Sequence, residues 1–331
     1  MTSFENGTRR TIDELVTLHQ VEPDLHEVYT EGRSDAGVIE WFIQRSQAQA
    51  VVYAVSDRVE VDFDVCQYGV DFGEKGKVVG VAQRLSELGV NDGFTCIVDA
   101  DYWHVLEEGP VNSGNLLVTD HTDLNIYCFD EKVVQKFLLV CLRAPAQLKA
   151  RSLLSAITPL LRALFVLRWL LRRELPGTQL VQRIERRIRT ARDSTLSLDA
   201  AKLLNDSLGA SPDPSARTID KQRVLTEYAA LLGTLTSEDP RKCINGHDFV
   251  RFLCFYLGEF HAELFRGDRK GLKDAATAKL ALLGCLDVHD LAEASLFKAL
   301  LTRLDERGSQ PDHRVRQRVG SDSTDRTEAN I

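Results

Sequence analysis

Two short apolar runs, Leu25–Thr30 and Phe94–Val98, each give way at the C-terminal end to acidic residues: Glu31-Gly32 with Asp35 after the first, Asp99-Ala100-Asp101 after the second. Runs this short, rich in Val, Ile, Tyr and Phe, read as buried strands rather than helices. Between them Ser34 opens a helical segment with Val38, Trp41 and Phe42 on one face, and a glycine-rich loop from Gly69 to Gly76 leads into another, Val78 to Leu88. Strands alternating with helices close as a parallel or mixed sheet covered by helices, the α/β architecture. Such sheets bind ligands beyond the C-terminal ends of their strands, where both acidic groups fall. Carboxylates gathered at one sheet edge repel one another, and a hard cation bound through oxygen relieves the repulsion.

The alternation holds only for the first part of the chain. Thr11 is placed to cap a helix over Ile12–Gln20, which Pro23 ends. Ala50–Val55 and Val59–Phe63 read as extended, and Asn115–Thr119 as a further strand beyond a loop through Glu107, Gly109 and Gly114. From Glu131 onward the apolar residues, beginning with Val133, Phe137, Leu138, Val140 and Cys141, take helical spacing. The organisation expected is an N-terminal helix over 1–20, an α/β domain over 21–143, a mainly α-helical domain over 144–307, and a polar, disordered tail over 308–331.

Composition narrows the classes. A formal net charge of −8 excludes an indiscriminate nucleic-acid coat while leaving room for a local basic patch. The seven cysteines are scattered and lack CxxC spacing, which points to a reducing cytoplasm, and Met1–Arg10 has no signal-like apolar core. Leu153–Leu171 is the most apolar window, but Pro159, Arg162 and Arg168 within it favour a buried helix over a membrane span.

The stretch Tyr29-Thr30-Glu31-Gly32-Arg33-Ser34-Asp35, followed by Ile97-Val98-Asp99-Ala100-Asp101, resembles the TOPRIM domain over about residues 20 to 130. Within that superfamily the chain is similar to stand-alone effectors with a helical C-terminal half, most of all the nuclease subunits of PARIS anti-phage systems, with the overcoming-lysogenization-defect nucleases as relatives. The resemblance implies a TOPRIM-like fold and a metal-dependent endonuclease using Mg²⁺ or Mn²⁺. It also implies a tRNA substrate, with DNA as the alternative, an ABC-type ATPase partner that holds the effector until a phage trigger releases it, and a homodimer in the active state. It puts the family's first glutamate on Glu31 and its DxD pair on Asp99 and Asp101, all three as metal ligands, and a further acid on Asp35. Read without the resemblance, Asp35 is a helix-start acid and Asp99 and Asp101 are turn residues.

Related nucleases carry a lysine near Lys75 and Lys77, which precede the expected helix over 78–88; of the two, Lys77 is the candidate phosphate contact, against the alternative of a solvated loop. No GxxxxGK[ST] is present there, so intrinsic ATP hydrolysis is not expected. Thr119-Asp120-His121-Thr122-Asp123-Leu124-Asn125 resembles a third motif whose last position is usually glutamate. Asn125 is a poorer cation ligand than a carboxylate, which keeps open a catalytically silent binding subunit, while Asp120 and Asp123 are expected to orient the site from behind the metal ligands. Asn245-Gly246-His247-Asp248 resembles a Gly-His element, by which His247 would approach the site; it equally reads as a helix cap. Finally, the arginines from Arg162 to Arg192, with Arg183, Arg186 and Arg187 at their densest point, read as either an RNA-binding face or an ordinary solvated surface.

Overall fold

The computed structural model describes residues 9–106, 114–191 and 193–308. The Glu107–Gly109 part of the expected loop and the polar tail beyond Gly308 lie outside the described residues. Strands β1 (Glu27–Thr30), β2 (Val51–Ala54), β3 (Phe94–Val98) and β4 (Leu116–Val118) form one sheet in the order β2-β1-β3-β4. Every pairing is parallel, with Tyr29 opposite Tyr53 on one side and Cys96 on the other. The two central strands are buried along their whole length, which is why they read as unbroken apolar runs. The chain leaves β1 for β2 in one direction and then crosses to β3 in the other. The sheet's switch point, the crevice favoured for ligands in open α/β folds, therefore lies between the ends of β1 and β3.

Successive residues of the central strands feed two cores, as a period of two requires. Tyr29, Cys96 and Val98 pack with helices α1 (Ile12–Val21) and α3 (Glu74–Glu87) through Leu15, Val78, Val81 and Leu85. Val28 and Ile97 face the other way, against α2 (Arg33–Arg45), which buries Ile39, Phe42 and Ile43 at i, i+3, i+4 spacing and leaves Val38 and Trp41 at its margin. That second core continues without a break into the helical half. It takes in most of α4 (Ala150–Glu174), the inner faces of α5 (Ala200–Ala210) and α7 (Gly246–Phe260), and residues of α6 (Lys221–Leu235), α8 (Ala275–Leu283) and α9 (Ser295–Gly308). Residues on both sides of position 143 thus share one apolar interior.

Helix α4 is long and apolar enough to cross a membrane by composition, and 61% of its apolar window is buried inside the protein. Its arginines meet protein partners: Arg168 grips Asp248 with two bonds of 2.7 and 2.8 Å, Arg172 reaches Asp71 at 2.7 Å, and Arg173 pairs with Glu227 and Glu174. Arg162 donates to the carbonyls of Thr236 and Glu238. Four of the arginines read as an RNA-binding face therefore have protein partners.

Several local expectations are corrected. Thr11 does cap α1, in a reciprocal pair with Glu14, but α2 is capped by Gly32 without a side-chain bond, and Ser34 sits inside its first turn. Helix α3 starts at Glu74, so Lys75 and Lys77 belong to its first turn instead of a preceding loop. A Cβ on Gly76 would lie 2.1 Å from the Asp71 carbonyl oxygen, so only glycine lets this turn close against the loop before it. Val59–Phe63 adds no strand; Val59 makes a single bridge to Arg10. The helical half also contains a small antiparallel hairpin, β5 (Ile188–Thr190) with β6 (Leu196–Leu198), where helix was expected.

Candidate active site at the switch point

Glu31 and Asp99 leave the sheet from adjacent strands, and the Asp99 backbone N–H donates to Glu31 Oε1 at 2.8 Å, tying the two ends together. Asp99 Oδ1 accepts from the Leu124 N–H at 3.3 Å, which brings in the segment after β4. Asp101 adopts a left-handed backbone, φ +48°, a conformation that aspartate tolerates better than most side chains, and its N–H donates to the Thr122 carbonyl at 2.7 Å. Thr119 locks the same turn: its Oγ1 accepts from the Ala100 N–H at 2.9 Å and donates to the His121 carbonyl.

Asp35, from the first turn of α2, and Asp123 complete the cluster. Asp123 is 4% exposed and accepts three contacts: from the Asn125 N–H at 2.9 Å, the Gly246 N–H at 2.7 Å and Thr122 Oγ1 at 3.4 Å. The Gly246 bond puts the positive N-terminal end of α7 against a buried carboxylate. A Cβ on Gly246 would stand 2.2 Å from Asp123 Oδ1, so the approach requires glycine.

The five acids share one electrostatic field. Burial pushes the Glu31 carboxyl up to about 7, with Asp101 and Asp35 adding to the rise and the Asp99 N–H and Lys75 opposing it. Asp99 is held well above the usual carboxylate range by burial and then by Asp123, Glu31, Asp35 and Asp101. Asp35 is raised by burial and by Asp123, against Lys279 and His247, and Asp123 is raised by burial despite its donors. Burial raises these carboxyls first, and the neighbouring acids add to the rise.

The residues expected at the site divide as follows. Glu31, Asp35, Asp99 and Asp101 lie near enough to act on one another's carboxyls, and Asp123 adds to the field at Asp99 and Asp35 while its own oxygens are held by the Asn125 and Gly246 N–H groups. Lys77 does not: its Nζ donates to Glu74 at 2.7 Å and Ser56 at 2.9 Å. Lys75 is the lysine at the cluster, 2.8 Å from Asp101 Oδ2 and 3.5 Å above the Trp103 ring. Asp120 serves the fold, accepting from Tyr127 Oη at 2.7 Å and from the Leu296 N–H of α9 at 3.1 Å. His121 is buried against Tyr127 and pushed down to about 4 by burial and by Arg241, so it is neutral at pH 7. His247 is exposed on the capped first turn of α7, where Asn245 Oδ1 accepts its N–H at 3.0 Å, yet it lies close enough to draw down Asp35 and Asp123. Lys279 of α8, a contributor no sequence motif marked, faces Asp35 in the same way.

The oxygens do not converge as the motif resemblance requires. Among the described residues no three His, Cys, Asp or Glu side chains form a ready-made metal-binding group. One Glu31 oxygen is taken by the Asp99 N–H and one Asp101 oxygen by Lys75.

In comparisons with protein-family models and with curated proteins, nothing matches this chain.

Proposed function

We propose that the chain is a metal-dependent phosphodiesterase of TOPRIM type, with Glu31, Asp99 and Asp101 as its principal acids. The observation that carries the proposal is the group of buried acids at the switch point of a parallel sheet, with the Glu31 and Asp99 carboxyls raised by burial first and by neighbouring carboxylates second. All the donors are carboxylate oxygens, the type Mg²⁺ and Mn²⁺ prefer, and Mg²⁺ typically takes one or two carboxylates and keeps several waters. Asp99 and Asp101, with Glu31, would hold such an ion only after the Glu31 oxygen leaves the Asp99 N–H and the Asp101 oxygen leaves Lys75; when bound, the ion supplies Lewis acidity toward a phosphate oxygen. Around it, Asp35 and Asp123 contribute negative potential, and the α7 N-terminus fixes Asp123. Lys75 is placed to neutralise Asp101 until substrate or metal arrives.

The motif resemblance supports the finer reading: an endoribonuclease effector of an anti-phage defence system, cutting tRNA under the control of an ABC-type ATPase. The test is incubation of the protein with Mg²⁺ or Mn²⁺ and either tRNA or plasmid DNA. Glu31→Ala and Asp99→Ala are expected to abolish cleavage and cell toxicity while retaining the fold. Undiminished cleavage in both variants ends the proposal, and cleavage of DNA alone favours the overcoming-lysogenization-defect reading.

A second reading, a silent TOPRIM-shaped subunit that docks on an ATPase, is favoured by carboxylate oxygens that form no ready-made metal group among the described residues, by the Lys75–Asp101 pair and by Asn125 in place of the motif glutamate. It predicts no cleavage by the wild type with either ion.

A further inference from the structure

Away from the acidic edge, the segment Gly177–Arg187 and the C-terminal end of α5 enclose a groove of about 560 Å³. This lies within the roughly 300–1,000 Å³ typical of small-molecule sites. Its walls are tied together: the Val181 N–H donates to Ser207 Oγ at 3.2 Å, and Thr178 Oγ1 and Ser211 Oγ lie 3.0 Å apart. The acids nearby are already matched, Asp206 by Arg187 and Glu185 by Arg251 of α7. Arg183 and Arg186 line the groove, are exposed, and form no salt bridge among the described residues. Two unmatched guanidinium groups on one groove stand out in a chain of net charge −8. Leu180, Ala210 and Pro212 add apolar surface to the lining.

We infer that this groove binds a nucleotide unit, its phosphate on Arg183 and Arg186 and its base against the apolar lining of Leu180, Ala210 and Pro212. Guanidinium forks match phosphate oxygens in pairs, and a flat base covers apolar surface. The same chemistry is offered by a free nucleotide and by one nucleotide of an RNA strand. The fold joins the groove to the acidic site through α7. Arg251 also donates to the Gln182 carbonyl, and it stands on the helix whose first residue, Gly246, holds Asp123. At a rise of ~1.5 Å per residue the two positions are ~8 Å apart along the helix. The inference does not depend on the chain being a nuclease.

The test uses the full chain and an Arg183→Ala/Arg186→Ala variant, whose thermal melting should match wild type because both side chains are exposed and unpaired. Binding of a short fluorescein-labelled single-stranded RNA is followed by anisotropy across a salt series, and AMP and inorganic phosphate are titrated by calorimetry. The variant is expected to bind RNA about tenfold more weakly, with the log–log salt slope reduced by about 0.7 for the one phosphate that the two arginines no longer neutralise. Loss of RNA binding without any AMP binding assigns the site to a polymer; loss of a saturable AMP isotherm assigns it to a free nucleotide. Wild-type affinity and slope in the variant, no binding of either probe to the wild type, or phosphate binding as tightly as AMP would each overturn the inference. Glu31→Gln should leave groove binding unchanged whatever it does to cleavage, so failure of the catalytic proposal and failure of this one are read separately.

Discussion

Gly246→Ala is the most demanding single substitution for this account, because it adds one methyl group where two parts of the site touch. The new Cβ would lie 2.2 Å from Asp123 Oδ1 and 2.7 Å from the Asn125 Cβ, both attached to a buried segment that cannot swing aside. Forcing that much overlap costs about 1–3 kcal/mol. Relief by moving α7 away lengthens the 2.7 Å bond from the Gly246 N–H to Asp123, and a hydrogen bond to a charged group is worth about 1.5–3 kcal/mol. Alanine returns at most about 1 kcal/mol of helix propensity. By either route the expected net loss is about 1–3 kcal/mol, read from urea denaturation as a lower midpoint with an unchanged slope. A loss below about 0.5 kcal/mol, the size of an ordinary surface change, would refute the close approach of α7 to Asp123.

Other outcomes follow from the same geometry. The Glu31 carboxyl is raised to about 7 from an ordinary 4.5, so the folded state holds the extra proton and stability falls as pH rises through that interval. Glu31→Gln should remove that slope and be the more stable protein above pH ~8, by on the order of 3 kcal/mol; a wild-type slope in the variant would contradict the assignment. Arg168→Met leaves Asp248, 3% exposed, without its bidentate partner and should cost about 3–5 kcal/mol in urea denaturation, most of it regained in Arg168→Met/Asp248→Leu. Lys75→Met withdraws a charge that opposes the Glu31 rise, so the Glu31 titration followed by carboxyl NMR should move above its wild-type position, while Lys75→Arg holds it in place.

What the sequence disclosed and what it withheld have physical reasons. The central strands were legible because burial on both faces leaves them unbroken apolar runs, and Glu31 and Asp99 were legible because they follow those runs directly. The choice between Lys75 and Lys77 was not, since residues two apart on a helix point to nearly opposite sides and the start of α3 fixes which side faces Asp101. What holds Asp123 could not be read from the sequence, because it depends on Gly246, 123 positions away. The arginine run looked like one surface, yet the acids that divide it, Asp71, Asp248, Glu227 and Asp206, come from four separate stretches of chain. The β5–β6 hairpin was hidden by strands of three residues each, too short to show an alternation.

The most direct test titrates Mg²⁺ by calorimetry into the wild type and Asp99→Asn near pH 7, in two buffers of different ionisation enthalpy. With Glu31 raised to about 7 and Asp99 held well above the usual carboxylate range, saturable binding by the wild type with release of protons to the buffer is expected, and loss of both in the variant. Binding without proton release, binding that survives Asp99→Asn, or no binding at all would contradict the claim that these carboxyls await a divalent ion.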